Sequence, residues 1–475
     1  MNIIISINFF YLFFNIFLLL NYINCLNILQ IVPGFTNSHV LFNYRLAEEL
    51  KKLGHSVVLW TQMEMNMVFT GDFKLPDGVN EIRESIQFKD KLKVEGLKVF
   101  QEMIFESGTP YELWWTGREF KEMRLEACEQ MLGEGRAKLL SSVNYQKFDL
   151  AIGHFHDFCP VAMARSVGVS RIIWITHGPS LYDFTSLSLG LQTFPSFVPH
   201  PLSFNSDRMN FLQRLINVIW HYSGIEFVNL PNVLLHEENS LYKKFFPKSK
   251  NLWTVGQQVS VLLLNGERFL DFPRPLPTFI LNLGSLASKQ QKLNKLILDP
   301  EIEYIYSKKE SKGVVIFSMG TVSNTTNMPL RMTKSFLNAF GRIPEYDFLW
   351  KTEQTEIEGI EGFKNVHLRR WINQKELISL LINCLNLQHP KTRLLFAHGG
   401  YSSFLEAAKA GIPILLVPLF ADQGINAKRA QRFGICEILD KKTLNEKIVE
   451  ELLRKMLNDD RYHINAHKLS ENSNK

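Results

Sequence analysis

Charge is missing from the start of this chain, cysteines are few, and the usual dinucleotide-binding glycine turn is absent. No charged side chain precedes Arg45. The apolar run from Ile3 to Leu20, broken only by Ser6, Asn8 and Asn15, reads as a secretory signal peptide cleaved near Cys25. It also lacks the usual basic start, so a retained anchor stays open. No later stretch reaches the ~20 apolar residues that span a bilayer. Of five cysteines in 475 residues, cleavage would leave Cys128, Cys159, Cys384 and Cys436, which do not make a disulfide framework. No G-x-G-x-x-G turn follows the first strand-like segment, which argues against a dinucleotide cofactor in that half. The net charge of +6 is scattered along the chain, so no nucleic-acid surface is expected.

What is present is an ordinary globular composition, 45% apolar and 21% charged, in a chain long enough for two or three domains. Its most informative stretch runs from Leu394 to Ala427. Leu394 to Phe396 reads as a buried parallel strand. Gly399 and Gly400 let the backbone turn sharply and approach a ligand. Ser402 and Ser403 open a helix that packs through Phe404, Leu405, Ala407 and Ala408. Gly411 stops it, Pro413 keeps it from resuming, and Ile414 to Phe420 reads as a second strand. A helix that starts on a glycine turn offers free N–H groups and a partial positive charge, which makes an anion site. His398 and the two hydroxyls line that site. Glu406 falls on the face of Ser402, four residues on, placed to accept hydrogen bonds from a sugar diol. Asp422, Gln423 and Asn426 come at the carboxyl end of the next strand, where open α/β sheets bind ligands.

The order H-G-G, S-x-x-E, G-x-P, P-L-F-x-D-Q and a final Asn resembles the signature of the UDP-glycosyltransferases, most closely the animal UDP-glucuronosyltransferase branch. Ser402 stands where that family usually has Asn. The resemblance implies a GT-B fold of α/β class: two facing Rossmann-like domains with a cleft between them. It gives Trp371 the role of stacking uracil and Gln374 that of bonding the ribose, with Asn373 in place of the usual proline. Ser318 lies in the glycine turn at the cleft floor, and Gly400, Ser402, Ser403 and His398 face the diphosphate. Glu406 meets the ribose, and Asp422 and Gln423 hold the sugar hydroxyls. Ser379 to Leu387 intervenes as extra sequence beside the uracil site.

Earlier in the chain, Asn27 to Pro33 reads as a strand, His39 to Leu53 as a helix capped by Gly54, and Ser56 to Trp60 as the next strand. The loop P-G-F-T-N-S-H resembles the family's loop carrying the catalytic base, which would be His39. Residues 70 to 145 read as mostly helical and, by the resemblance, line the acceptor pocket. Relatives carry an acid near the end of the strand that begins at Phe148. By count it should fall at position 154, but His154 stands there, and Asp157 is the nearest acid and the candidate partner of His39. Lys442 to Leu457 reads as an amphipathic helix followed by a polar tail.

These readings give a signal peptide over 1–25, an acceptor-binding domain over 26–283, a linker over 284–312 and a UDP-sugar-binding domain over 313–475. The expected activity is inverting transfer of a hexose or hexuronate from UDP-glucuronate or UDP-glucose to a hydroxyl of a small lipophilic acceptor. UDP-sugar is a co-substrate, and no cofactor is expected. No D-x-D motif occurs, so no essential metal is expected. The expected setting is the endoplasmic reticulum lumen or membrane. Membrane association, oligomeric state and the choice of donor sugar stay open, as does a relative that binds nucleotide sugar with little catalysis.

Overall fold

The structure is a computed structural model. It describes residues 25–34, 37–63, 74–88, 104–106, 121–142, 147–155, 157–183, 186, 189–222, 232–284, 299–354, 356–374, 377–378 and 391–473. The N-terminal apolar run, Trp114 and Trp115, residues 285–298 of the expected linker and the extra segment Ser379 to Leu387 lie outside these residues.

Two parallel sheets carry the fold. The first takes β1 (Asn27–Pro33), β2 (Ser56–Met63), β3 (Asn80–Ser85), β4 (Leu150–His154), β5 (Ile172–Thr176), β6 (Val261–Leu264) and β7 (Ile280–Asn282) in the order β3-β2-β1-β4-β5-β6-β7. The second takes β8 (Val314–Ser318), β9 (Asp347–Lys351), β10 (Val366–Arg369), β11 (Thr392–Ala397), β12 (Ile414–Leu416) and β13 (Cys436–Ile438) in the order β10-β9-β8-β11-β12-β13. Each is a doubly wound Rossmann-like sheet, so its direction of winding reverses at one place. That place is between β1 and β4 in the first sheet and between β8 and β11 in the second. The central strands are buried and mostly apolar because both faces are covered. All five residues of β8 and of β9 are buried.

Helices close the faces. Those that matter for the site are α1 (Asn37–Lys52), α2 (Cys159–Ser166), α3 (Phe211–Tyr222), α4 (Asn232–Phe245), α5 (Leu330–Gly341), α6 (Tyr401–Ala410), α7 (Gln423–Arg432), α8 (Glu446–Asn458) and α9 (Asp460–Ser473). α6 ends as its sequence implies, with Gly411 at φ 71°, a left-handed cap that costs glycine little.

Four features depart from these expectations or go beyond them. The region read as mostly helical contains β3, an edge strand that escapes the apolar pattern because it is half-exposed and polar. The strand after α6 stops at Leu416 rather than Phe420. The polar tail is α9, which buries Ala466 and Leu469 and donates from Ser470 Oγ to the Lys409 carbonyl at 2.5 Å. Cys128 and Cys159 are joined in a disulfide between a helix over 121–130 and α2.

Candidate active site

Both winding reversals open at carboxyl strand ends, and the sequence-picked residues gather there. His39 sits in the first turn of α1, half-buried, just after β1. Its ring stacks on that of His177, which follows β5, with centroids 4.1 Å apart. His154, the last residue of β4, meets it edge-on at 5.9 Å. Phe42 packs against both of these neighbours.

Asn43 ties the group together. It lies one turn after His39, is fully buried, and donates from Nδ2 to the His39 carbonyl at 2.8 Å. The same amide nitrogen lies 2.8 Å from His154 Nε2. Gln30 on β1 donates its side-chain N–H to Asn43 Oδ1 and to the Asn43 carbonyl. That fixes which end of the Asn43 amide faces His154. His154 Nε2 is therefore an acceptor and carries no proton, so the neutral ring is protonated at Nδ1.

Asp157 does not join this group through its hydrogen bonds. Its carboxylate is taken by Arg124, with Nε at 2.7 Å and Nη2 also in contact, and by the Cys159 N–H at 3.0 Å. Glu238 lies beside the pair and accepts from the Phe158 N–H at 3.2 Å. Burial and the Asp157 charge push the Glu238 carboxyl well above its ordinary range. Asp157 thus belongs to a buried ionic knot next to the disulfide. In sequence Asp157 is the acid nearest to position 154, which makes it the candidate partner of His39; in the fold its partner is a cation 33 residues upstream, which that proximity does not reveal.

On the second sheet, Ser318 ends β8 and His398 follows β11. Gly320, at φ 79°, and Gly400 clasp the imidazole: a Cβ would lie 2.5 Å from His398 Cε1 at the first and 2.8 Å from Nε2 at the second. Although an edge of the residue meets solvent, the ring is enclosed. That burial, helped by Lys351, holds its pKa down to about 4 against an opposing backbone contact at Ser318. His398 is thus neutral at ordinary pH. The positive potential expected from it must come from elsewhere. Gly400 caps α6 with no side-chain hydrogen bond, which leaves the first-turn amides to the cleft. Lys351, the last residue of β9, is 4% exposed, donates to the Gly320 carbonyl at 3.1 Å and pairs with Glu353. It was missed because a lysine at a strand end carries no motif.

Gln374 reaches across to α6, donating to Ser403 Oγ at 3.2 Å and to Glu406 Oε2 at 2.9 Å. Trp371 lies three residues before it and is 37% exposed. Ser402 is half-buried beside the buried Ser403. Asp422 caps α7 and accepts from Asn426 Nδ2 at 3.1 Å; enclosure pushes its carboxyl above the usual value. Ala421 before it has φ 52°, the single non-glycine residue at positive φ among those described. Gln423 turns its carbonyl oxygen inward, to the N–H groups of Leu419 at 2.7 Å and Phe420 at 3.2 Å, so only its amide nitrogen is left for a ligand.

The two halves meet at this point. A Cβ on Gly178, the residue after His177, would lie 3.6 Å from Asp422 Oδ2. Arg429 on α7 holds the halves together, donating to Asp271 at 2.8 Å and to Ser180 Oγ at 3.1 Å. Glu267 N–H donates to Tyr401 Oη at 3.0 Å. The histidine group, through Gly178, and the α6 and α7 ends thus come to one boundary between the halves, imidazoles on one side and helix N-termini on the other.

A sequence model of the family described as UDP-glucoronosyl and UDP-glucosyl transferase matches residues 29–473. The putative UDP-glucuronosyltransferase ugt-60 of Caenorhabditis elegans is 52% identical over 453 residues, covering 95% of this chain and 86% of that one. The solved kitacinnamycin glycotransferase superposes with a TM-score of 0.61 at 13% identity, over 95% of each chain. LpCGTa in complex with UDP does so with a TM-score of 0.56 at 14% identity, over 94% of each. At such identities the structural likeness speaks for the fold, which is GT-B.

Proposed function

The chain belongs to the UDP-glucoronosyl and UDP-glucosyl transferase family, and from that premise we propose that it moves a hexose or hexuronate from a UDP-sugar to a hydroxyl of a small lipophilic acceptor, with inversion and with His39 as base. The observation that carries this reading is the meeting of the His39–His177 wall with Asp422 across the cleft.

In this reading UDP lies on the second sheet. Trp371 stacks the uracil, and Glu406 and Gln374 take the ribose hydroxyls. The first-turn amides of α6, with Ser402, Ser403, Ser318 and Lys351, meet the diphosphate. Neutral His398 shapes the glycine turn and offers a hydrogen bond rather than a charge. Asp422 and the Gln423 amide hold the sugar. His39 takes the acceptor's hydroxyl proton as the oxygen attacks the anomeric carbon. The bond from that carbon to the phosphate oxygen breaks on the opposite face, and UDP leaves with the electron pair. The imidazolium formed on His39 meets no carboxylate at position 154. The neutral His154, set by Asn43, takes that place, and His177 supports the ring by stacking. The chemistry belongs in the lumen of the secretory pathway, at or near its membrane.

The test uses the full chain, calorimetry with UDP, and UDP release with UDP-glucuronate or UDP-glucose over a panel of phenols and alcohols. UDP binding with acceptor-dependent release from at least one donor is expected. Absence of UDP binding would overturn the reading. Binding without turnover on any acceptor would favour a nucleotide-sugar binder, the alternative that His154 itself supports.

A further inference from the structure

The helix α3 is built inside out. Phe211, Leu212, Leu215, Ile216, Ile219 and Tyr222 all face solvent, Phe211 at 83% exposure and Tyr222 at 70%. Its two buried residues are polar, Asn217 and His221. At about 100° per residue, the six exposed apolar side chains fall in an arc of about 140°, and Asn217 and His221 lie on the opposite side.

The polar side is a complete anchor. Asn217 donates to the carbonyls of Pro195 at 2.8 Å and Val198 at 2.9 Å, and accepts from the His200 N–H at 2.8 Å. His221 Nδ1 lies 2.8 Å from Asp183, and its Nε2 lies 3.3 Å from the Val198 carbonyl. Water-soluble surface helices bury the apolar stripe and expose the polar one. Here hydrogen bonds fasten the helix to the first half, and a continuous apolar ridge, larger than scattered surface residues explain, points away from it.

We propose that the outward face of α3 is a lipid-docking surface that lays the first half of the molecule on a bilayer bearing anionic headgroups. Three features favour lipid over a second protein copy. The ridge is the apolar face of a helix whose opposite face is polar, the build that lays an apolar face into the headgroup boundary. The helix carries no Asp or Glu, while exposed Arg214, which falls outside the ridge on the polar side and donates to the Met209 carbonyl at 3.2 Å, and exposed Arg208 just before the helix give this end of the molecule the positive charge that anionic headgroups attract. The nearby Asp207 carboxylate faces Arg432 at 3.8 Å. Finally, the 12 residues make a strip about 18 Å long and about 10 Å wide, so a two-fold contact through it alone falls short of the ~800 Å² per partner of a stable interface. The surface lies outside the donor cleft, so the proposal stands or falls apart from the donor chemistry.

The experiment measures amide exchange across Phe211–Tyr222 in the full chain, with and without phosphatidylcholine vesicles containing phosphatidylserine. Exchange across α3 is expected to slow at least tenfold on vesicles. A variant with Leu212→Ser, Leu215→Ser, Ile216→Ser and Ile219→Ser should lose that slowing while keeping its UDP affinity and melting profile. Added salt should weaken the effect in the wild type. Unchanged exchange in wild-type α3 on vesicles would overturn the proposal even if the N-terminal run holds the chain to the membrane. So would a concentration-dependent dimer that the same substitutions dissolve, with no effect of vesicles, since that would assign the face to a second copy.

Discussion

Removing the Arg124 guanidinium should cost stability rather than catalysis. Arg124, Asp157 and Glu238 are at most 5% exposed, and Arg124 is the cation facing the two carboxyls. Breaking a buried ion pair by deleting one partner typically costs about 3–5 kcal/mol. At about 2–4 °C per kcal/mol for a domain of this size, Arg124→Met should lower the melting temperature by roughly 6–20 °C. Asp157→Asn should cost less, roughly 1–3 kcal/mol. The Asp157 charge is one cause of the raised Glu238 pKa, so its loss lets Glu238 ionise and face Arg124. The sign of the pH dependence follows. Because the folded Glu238 value is raised, its contribution to stability is full below the ordinary 4.5 and is lost as pH rises through the folded value. Asp157→Asn should move that loss to lower pH. Thermal unfolding by circular dichroism over a pH series reads all three outcomes. If Asp157→Asn melts like the wild type but shifts the pH profile of turnover, Asp157 serves the base and this reasoning fails.

Two further outcomes concern the cleft. Glu406→Ala should weaken UDP-sugar binding at least tenfold, because a lost charged hydrogen bond to a ribose hydroxyl costs about 1.5–3 kcal/mol; unchanged affinity by calorimetry would remove Glu406 from the donor site. His154→Asp should place a carboxylate beside Asn43 and the His39 ring, raising the apparent pKa of the basic group in the pH–rate profile by roughly 1–3 units. An unmoved profile would show that position 154 does not address the base.

Most of the second-sheet wall was legible as turn, helix and strand because its residues are local to one another. The glycine turn, the opening of α6 and the Gly411 cap all lie within a dozen residues, and buried parallel strands announce themselves as short apolar runs. What escaped depends on distant neighbours. β3 reads as polar because an edge strand keeps one side in water. α9 becomes a helix against α6, which the tail's composition does not reveal. Arg429 reaches Asp271 across 158 residues, and nothing local to either marks the tie. The neutral state of His398 comes from enclosure by Gly320 and Gly400, far apart in the chain. The substitution at His154 was visible, but its consequence needed Asn43 and Gln30, whose hydrogen bonds set the tautomer.

His39 is the residue on which the proposed mechanism turns, and one comparison addresses it directly: turnover and UDP affinity of His39→Ala beside the wild type, on an acceptor the wild type glycosylates. A general base typically contributes 10²–10⁴-fold to rate, and His39 lies on the first sheet's side, opposite the proposed UDP site. Turnover should therefore fall by roughly two to four orders of magnitude, with UDP affinity within a few fold. Equal turnover by His39→Ala would contradict the mechanism proposed for this chain.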